Sequence, residues 1–346
     1  MTEEEKNFRK IYRSKYYGLS ERLVGENAKY ILKNESDLEI INFDNEFFLK
    51  TNDNEYQWGG KVPQGGKKTV VRMSKKEGRV NFFEEHIIKS VDNSLIKNTT
   101  TEIPFCYVGG NNQIIQFKYF SQQTQDINMN QKKKVFEIKY ININSKIAKF
   151  NVQGELINRC KGNWSINLTN EEIDSLIPND FKTNKIHFNK IANDIIKEYD
   201  AKHKNDLIIV PSVVKIGKWV KKNIKYDITY VGTNDITASE TLNNKRGVCH
   251  HITKLFNALM YSLGYQTIYI LGYALDNKIN YGIEDAHAWS LVKIDGKWLP
   301  FDATWGIFSG KLPITHIFKQ TDCQGIKTLS YDKVKVEQIN VKGNLC

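Results

Sequence analysis

The sequence is poor in cysteine and has no long hydrophobic run. Its five cysteines are scattered, and no two form a C-x-x-C pair; they are Cys106, Cys160, Cys249, Cys323 and Cys346. This odd-numbered set argues against a disulfide framework and a zinc site, so we expect a reducing compartment, no metal and no cofactor. No stretch approaches the roughly eighteen apolar residues of a transmembrane helix, which argues against a membrane partner. The charged N-terminus, MTEEEKNFRKIYRSKYYGL, does not resemble a secretory signal, so we expect a cytoplasmic protein.

Positive charge is in excess, with a formal net charge of +11 at pH 7. Lysine and arginine are nevertheless spread along the whole chain and interleaved with acidic residues, and the densest run, QKKKV, ends a polar loop. Such a distribution is typical of a solvated surface rather than of a nucleic-acid groove. We therefore expect no nucleic-acid partner; the competing reading, a nucleic-acid binder, predicts binding that weakens steeply with salt.

The length of 346 residues favours two domains. Residues 1–27 have mixed charge and suggest an N-terminal helix or arm. In residues 28–160, short runs rich in β-branched and aromatic residues alternate with turn residues, which predicts a β-rich domain, most simply a sandwich. In residues 161–346, helical patterns lead into consecutive strands, which is typical of an α+β domain. No motif assigns a role to the β-rich domain, which could bind a protein partner.

One cysteine lies where a helical pattern begins. In NNKRGVCHHITKLFNALMYSLG, apolar residues recur at helical spacing from Ile252 to Leu263, and Gly264 is the usual stop. Cys249 therefore lies in the first turn, where the positive end of the helix dipole favours the nucleophilic thiolate. Gly247 would permit a sharp entry into the helix and leave room for a substrate backbone. The alternative is a buried structural cysteine.

A hairpin near the end of the core brings a histidine and an aspartate into register. Asp295–Gly296 between two alternating strands predicts a two-residue turn, in which Ile294 faces Lys297. His287 and Asp302 are then diagonal neighbours on one face of the sheet, about 7–8 Å apart at the backbone. A three-residue loop would instead place them on opposite faces. A carboxylate beside an imidazole fixes its tautomer and supports its protonated form, so we expect a nucleophile, a base and an orienting acid.

Three motifs, in this order, resemble the transglutaminase-like superfamily of the papain-like cysteine-enzyme clan. They are IGKWVKKNIKYD, RGVCHHITKLFNALMYSLGYQTIYILGYA and DAHAWSLVKIDGKWLPFDATWG, within a core at residues 212–306. The most similar branch contains the kyphoscoliosis-type peptidases and many bacterial transglutaminase-like proteins. The resemblance implies a papain-like α+β core of helices and antiparallel sheet, with Cys249 as nucleophile, His287 as general base and acid, and Asp302 as the orienting residue.

The implied activity is acyl chemistry on the amide bonds of proteins or peptides. A thioester on the cysteine would pass its acyl group to water, as in a peptidase or deamidase, or to an amine, as in a transglutaminase. The three residues do not choose between these outcomes. The alternative is a catalytically silent scaffold or protein-interaction module. The sequence departs from the family at His250 and His251, which follow the cysteine. A histidine there could tune the pKa of the thiol or bind a metal, but we expect surface or packing residues.

Overall fold

The computed structural model describes residues 145–320, apart from 167, 205–208, 234–235, 275–279 and 282–285. Outside that range it describes shorter segments, nearly all of them strands, at residues 19–24, 29–34, 37–44, 48–50, 55–58, 70–90, 95, 99–104, 112–121, 126–130, 135–140 and 334–345. No helix in these described segments is both long and apolar enough to span a membrane.

The described parts of the first half are antiparallel strands, as the alternating sequence predicts. They are β1 (Leu19–Val24), β2 (Lys29–Asn34), β3 (Leu38–Asp44), β4 (Phe48–Lys50), β5 (Glu55–Trp58), β6 (Val70–Lys75), β7 (Glu77–Ser90), β8 (Thr99–Pro104), β9 (Asn112–Ser121), β10 (Asp126–Asn130), β11 (Val135–Tyr140) and β12 (Ile147–Arg159). They pair in the orders β1-β2-β5-β4, β3-β6 and β10-β11-β8, while β7, β12 and β9 belong to a larger sheet. The face-to-face packing of a sandwich stays a prediction.

Two terminal segments differ from the sequence-based interpretation. Residues 19–24, expected within a helix or arm, form β1 and pair with β2 through a short connection. The charge pattern of residues 19–24 is compatible with a helix, but pairing with β2 provides hydrogen-bond partners for their backbone N–H and C=O groups. At the other end, β20 (Val334–Leu345) pairs with β7, although the boundary at residue 161 places it in the C-terminal domain. Pairing between such distant segments leaves no local sequence signal.

The second half begins with helices that surround one central helix. In chain order these helices are α1 (Asn170–Ser175), α2 (Asn179–Thr183), α3 (Lys185–Lys202), α4 (Ser212–Asn223), α5 (Ala238–Asn244) and α6 (Cys249–Ser262). Helices α3, α4 and α5 pack against α6, whose apolar face is buried in the largest cluster of the core. A short parallel pair, β13 (Lys225–Tyr226) with β14 (Arg246–Gly247), leads the chain into α6.

An antiparallel sheet covers the other side of α6. It has the order β18-β17-β15-β19, formed by β15 (Thr267–Ala274), β17 (Ala286–Ile294), β18 (Lys297–Phe301) and β19 (His316–Gln320). β16 (Asn280–Tyr281) pairs instead with β20 in the sheet of β7, β12 and β9. Side chains of β17 alternate between two cores: Val292 faces the helices, whereas Trp289 and Leu291 join a second cluster with Trp164. Strand β17 is therefore buried on both faces.

The local predictions around the hairpin and around α6 are confirmed. Ile294 pairs with Lys297 across the turn, and this register continues to Ser290 opposite Phe301. Asp295 and Gly296 have φ values of 50° and 75°, as a type I′ turn requires. Helix α6 begins at Cys249 and ends with hydrogen bonds from Gly264 N–H to Tyr261 (3.0 Å) and from Tyr265 N–H to Met260 (3.2 Å), the Schellman pattern.

Candidate active site

Cys249 is the first residue of α6, and its side chain is largely buried, with the residue 8% exposed. Its Sγ atom lies 3.7 Å from the carbonyl oxygen of Ala286, at the start of β17. This position holds the sulfur against the strand that carries His287. It also leaves the backbone N–H groups of the first helical turn pointing out of the helix end.

The two histidines after the cysteine have structural partners, in agreement with the packing role expected for them. The Nδ1 atom of His251 accepts a hydrogen bond from the N–H of Val248 (3.2 Å), and its Nε2 donates to the carbonyl of Thr233 (2.8 Å). Burial lowers the pKa of His251, which favours this neutral, capping form. His250 hydrogen-bonds the hydroxyl of Tyr269 at 2.8 Å.

Gly247 permits the close approach that closes the start of the helix. A Cβ atom at this position would lie 2.6 Å from the Cβ of His251, which is too short for any side chain. The room is therefore needed by the capping histidine, whereas the sequence suggested a sharp turn and space for substrate. The pairing of Tyr226 with Gly247, extended by a 3.1 Å bond from Asp227 N–H to the Gly247 carbonyl, then fixes β13 beside Cys249.

Tyr226 is a candidate residue that the sequence reasoning missed. Its phenol lies beside the backbone N–H of Cys249, and 49% of the residue is exposed. Partial burial raises the pKa of this phenol, and the nearby charge of the Cys249 thiolate adds to the effect. A neutral hydroxyl at the mouth of the helix is thus available to a bound carbonyl group. The only sequence signal was its place in the motif NIKYD.

The structure brings His287 and Asp302 into direct contact. The Nε2 atom of His287 donates to Oδ2 of Asp302 at 2.7 Å, and these residues are 6% and 0% exposed. Asp302 follows β18 directly and is held by paired backbone bonds with Ile307 (3.0 and 2.9 Å), while the Trp305 N–H donates to its Oδ1 (2.9 Å). Both oxygens of the buried carboxylate are therefore engaged.

This contact makes the pair an ion pair at neutral pH. Burial opposes charging of the ring, but the charge and hydrogen bond of Asp302 outweigh it, and the pKa of His287 rises to about 10. Burial likewise opposes charging of Asp302, yet His287 and the other donors hold its pKa well below the usual range. Because Nε2 is engaged by Asp302, Nδ1 is the ring nitrogen left to face Cys249, which also favours the charged ring.

A second histidine on Asp302 was not expected from the sequence. His316, the first residue of β19, donates from Nε2 to the same Oδ2 atom at 3.1 Å and is 1% exposed. Burial lowers its pKa, so that this ring is neutral. Side-chain atoms of His287, Asp302 and His316 lie within 4.8 Å of one another and could hold a metal ion. A metal there would displace both hydrogen bonds to the carboxylate.

Two tryptophans border these rings. Trp289 is fully buried, with its ring 6.0 Å from that of His287 and 6.2 Å from that of Trp164, so it belongs to the core. Trp305 is 36% exposed, and its ring lies 5.1 Å from that of His287. Trp305 is therefore the aromatic side chain that covers the histidine toward solvent.

Comparisons with known proteins agree with this architecture. Residues 193–303 match the family model described as the transglutaminase-like superfamily. A comparison with curated protein sequences gives no match. Among solved structures, the chain is similar to a "Putative Cysteine Protease from Cytophaga hutchinsonii", with a TM-score of 0.53 and 16% identity over 79% of this chain and 92% of that chain. At this identity the likeness concerns the fold alone.

Two further solved structures show weaker similarity. "A TGase" has a TM-score of 0.26 at 16% identity over 54% of this chain and 45% of its own. A "putative protease from Parabacteroides distasonis" has 0.23 at 8% identity over 72% and 68%. Scores this low carry no argument. For residues 193–303 the family match confirms the predicted superfamily, and the first structure agrees with the predicted α+β fold, while the narrower branch stays a prediction.

Proposed function

We propose, from the transglutaminase-like core at residues 193–303, that this chain is a papain-like cysteine enzyme that cleaves amide bonds in proteins or peptides. Cys249 is the nucleophile, His287 the general acid and base, and Asp302 the residue that orients and charges the histidine. The observation that carries the proposal is the buried ion pair of His287 and Asp302 beside the cysteine at the start of α6.

The burial of this pair argues for catalysis over a silent scaffold. Removing two charges from water costs several kcal/mol per ion, and apolar side chains of similar volume often serve stability as well or better. Asp302 is 0% exposed and His287 only 6%. A scaffold has no need of a charged imidazole at this depth, whereas an enzyme uses it to stabilise a neighbouring thiolate and later to protonate a leaving amine.

The geometry supports a reaction in two halves. The thiolate of Cys249 attacks the carbonyl carbon, forming a C–S bond while the π electrons move to oxygen. When the oxyanion collapses, the C–N bond breaks, and the amine leaves with the proton from Nδ1 of His287. Water then attacks the thioester and gives a proton to His287, and the C–S bond breaks to release the acid and the thiolate. An amine replacing water in the second half would give transamidation.

Two donors are available for the oxyanion. The backbone N–H of Cys249 lies at the start of α6, where the helix dipole favours negative charge. The hydroxyl of Tyr226 lies beside that same N–H and supplies a side-chain donor. Removing one such donor typically costs about a hundredfold or more in turnover.

The surface beside the site suits a polypeptide substrate. Exposed apolar side chains follow Tyr226 along the chain, with Ile228 74% and Val231 51% exposed, and the ring of Trp305, 36% exposed, lies 5.1 Å from that of His287. Exposed apolar side chains near one another are typical of surfaces that bind chain segments.

We also propose a cytoplasmic location for the protein and a protein-binding role for the β-rich region. Both proposals rest on the sequence.

The decisive experiment is incubation with a reduced, denatured protein such as casein, with and without methylamine, followed by mass spectrometry of the products. New termini indicate hydrolysis of the backbone, a gain of one mass unit at glutamine indicates deamidation, and methylamide products indicate transfer to an amine. The Cys249→Ala variant is the control and abolishes all products. Products that persist in this variant would contradict the proposal.

A substrate-independent assay separates the enzyme from the scaffold. Iodoacetamide at pH 6 alkylates Cys249 selectively if the thiolate is stabilised, and peptide mapping locates the label. Cys160 is an internal reference, because burial raises the pKa of its thiol to about 12. Equally slow labelling of both cysteines would favour the silent scaffold.

A further inference from the structure

The carboxylate of Asp302 receives three hydrogen-bond donors, two more than the single histidine that a nucleophile–base–acid set requires. His287 and His316 both donate to Oδ2, and the Trp305 N–H donates to Oδ1. The ring of His316 is enclosed by Trp289 and Trp305, with centroid distances of 5.2 and 4.9 Å. It is therefore held in one orientation by aromatic walls.

The backbone of His316 is held by the β-rich half of the chain. Asn158, on β12 and 0% exposed, donates through Nδ2 to the carbonyl oxygens of Ile314 (2.5 Å) and His316 (3.0 Å). Ser74, at the end of β6, accepts the N–H of Ile314 at 3.2 Å. Ile314 also packs with Ile41 and Cys160 in a small apolar cluster. Strands far from Cys249 in sequence thus fix the segment that begins β19.

We propose that His316 is a positioning residue that keeps Asp302 ionised and oriented toward His287, and that β12 holds His316 through Asn158. The proposal rests on the proposed function. The β-rich region then helps to position the site, because contacts run from Asn158 on β12 through His316 and Asp302 to His287.

The physical basis is the cost of a buried carboxylate. A fully buried carboxylate is stable only when hydrogen-bond donors replace the water it has lost. Two titratable groups contact Asp302, His287 on β17 and His316 on β19. Tyr226 on β13 is close enough for the charge of Asp302 to raise its pKa, and Cys249 on α6 faces His287. His316 acts as a neutral donor, since burial keeps its pKa low. Without that donor Asp302 takes up a proton at higher pH, and the charged state of His287 loses its partner.

The test compares two substitutions at one position. His316→Gln places an amide N–H near the lost Nε2, whereas His316→Met has similar length but no donor. For each protein, the rate of Cys249 alkylation by iodoacetamide and kcat are measured from pH 2 to 9, with thermal unfolding at each pH as the check on folding. We expect His316→Met to lower kcat about ten- to a hundredfold, with the acid-side midpoint of the pH profile higher by about one unit. His316→Gln restores most of the rate and the native midpoint.

The outcomes distinguish this proposal from the proposed function. If Cys249 of the native protein is not selectively alkylated at pH 6 and no product forms, the proposed function fails. If the native protein is active and the pH profile of His316→Met overlays the native one, the role of His316 fails alone. The role of His316 is also overturned if His316→Met and His316→Gln lower kcat equally and leave the pH profile unshifted, because a residue with only a structural role would give that result.

A double-mutant cycle tests the link to the β-rich region. Asn158→Ala removes both bonds to the segment of His316, and Arg159→Ala is the control, because Arg159 pairs with Glu77 at the surface. We expect Asn158→Ala to lower kcat about tenfold in the native background and to have little further effect with His316→Met. Additive effects of the two substitutions would show that Asn158 does not act through His316.

Discussion

Replacing Asp302 by asparagine tests the central claim with minimal change in volume. The Oδ1 atom of the new side chain can still accept the Trp305 N–H, so the turn after β18 is preserved. Its amide N–H group then faces the nitrogen of His287, which must turn from donor to acceptor at Nε2. The remaining ring proton moves to Nδ1, opposite Cys249. The imidazole is then in the wrong tautomer to take a proton from the thiol.

The expected loss of kcat in Asp302→Asn follows from the way Asp302 keeps His287 charged. Asp302 is the chief cause that raises the pKa of His287 from 6.5 to about 10 against burial. That change corresponds to about 5 kcal/mol in favour of the protonated ring, to order of magnitude. We therefore expect Asp302→Asn to lower kcat about a thousandfold or more. We expect KM to change little, because Asp302 is fully buried and does not touch substrate.

The assay is the kinetics of the best peptide found in the product screen, measured beside the rate of Cys249 alkylation at pH 6 to 8. Asp174→Asn, at an exposed aspartate of α1, is the control for loss of one negative charge. Circular dichroism and thermal unfolding verify that the fold is retained. A folded Asp302→Asn variant with kcat within tenfold of the native value would show that Asp302 does not set the tautomer and charge of His287.

Three further predictions concern neighbouring residues. Because the pKa of His287 is raised to about 10, the folded protein keeps the ring proton through pH 7–9 and loses it as the pH rises toward 10. We therefore expect kcat, measured against pH, to stay constant up to about pH 9. A fall of kcat near pH 7 would contradict the ion pair. Gly247→Ala forces a Cβ against the Cβ of His251, so we expect the free energy of unfolding, measured in urea, to fall by about 1–3 kcal/mol. Gly264→Ala is the comparison, because a Cβ there meets no neighbouring atom and adds only the strain of a positive φ. Tyr226→Phe removes the side-chain oxyanion donor and should lower kcat about a hundredfold at similar KM; unchanged turnover would leave the backbone N–H as the sole donor of the two.

The parts of the site that could be read from the sequence are those set by neighbours along the chain. Helical spacing after Cys249 and the glycine at 264 determine where α6 begins and ends, because both act within a few residues. The two-residue turn determines the register of the hairpin. The observed register ends at Ser290 opposite Phe301, one residue before Asp302, and the 2.7 Å bond between Asp302 and His287 lies just beyond it.

The remaining parts depend on segments that meet only in the folded protein. His316 is a single histidine in a strand-like run, with no spacing that relates it to Asp302, yet the order β18-β17-β15-β19 brings it to the same carboxylate. Asn158 lies on a strand of the other half, and β20 returns from the C-terminus to pair with β7. No local pattern predicts such contacts, since sheet pairing at long range is selected by the whole fold.

Periodicity and turn chemistry are local properties of the chain, so they are enough to place Cys249 at the start of a helix and to bring His287 and Asp302 to one hairpin. The tertiary structure is what gives Asp302 its second histidine and connects β12 to His316 through Asn158. A buried charge is stabilised by the donors that the fold brings around it, and here those donors come from separate strands that meet in the folded sheet.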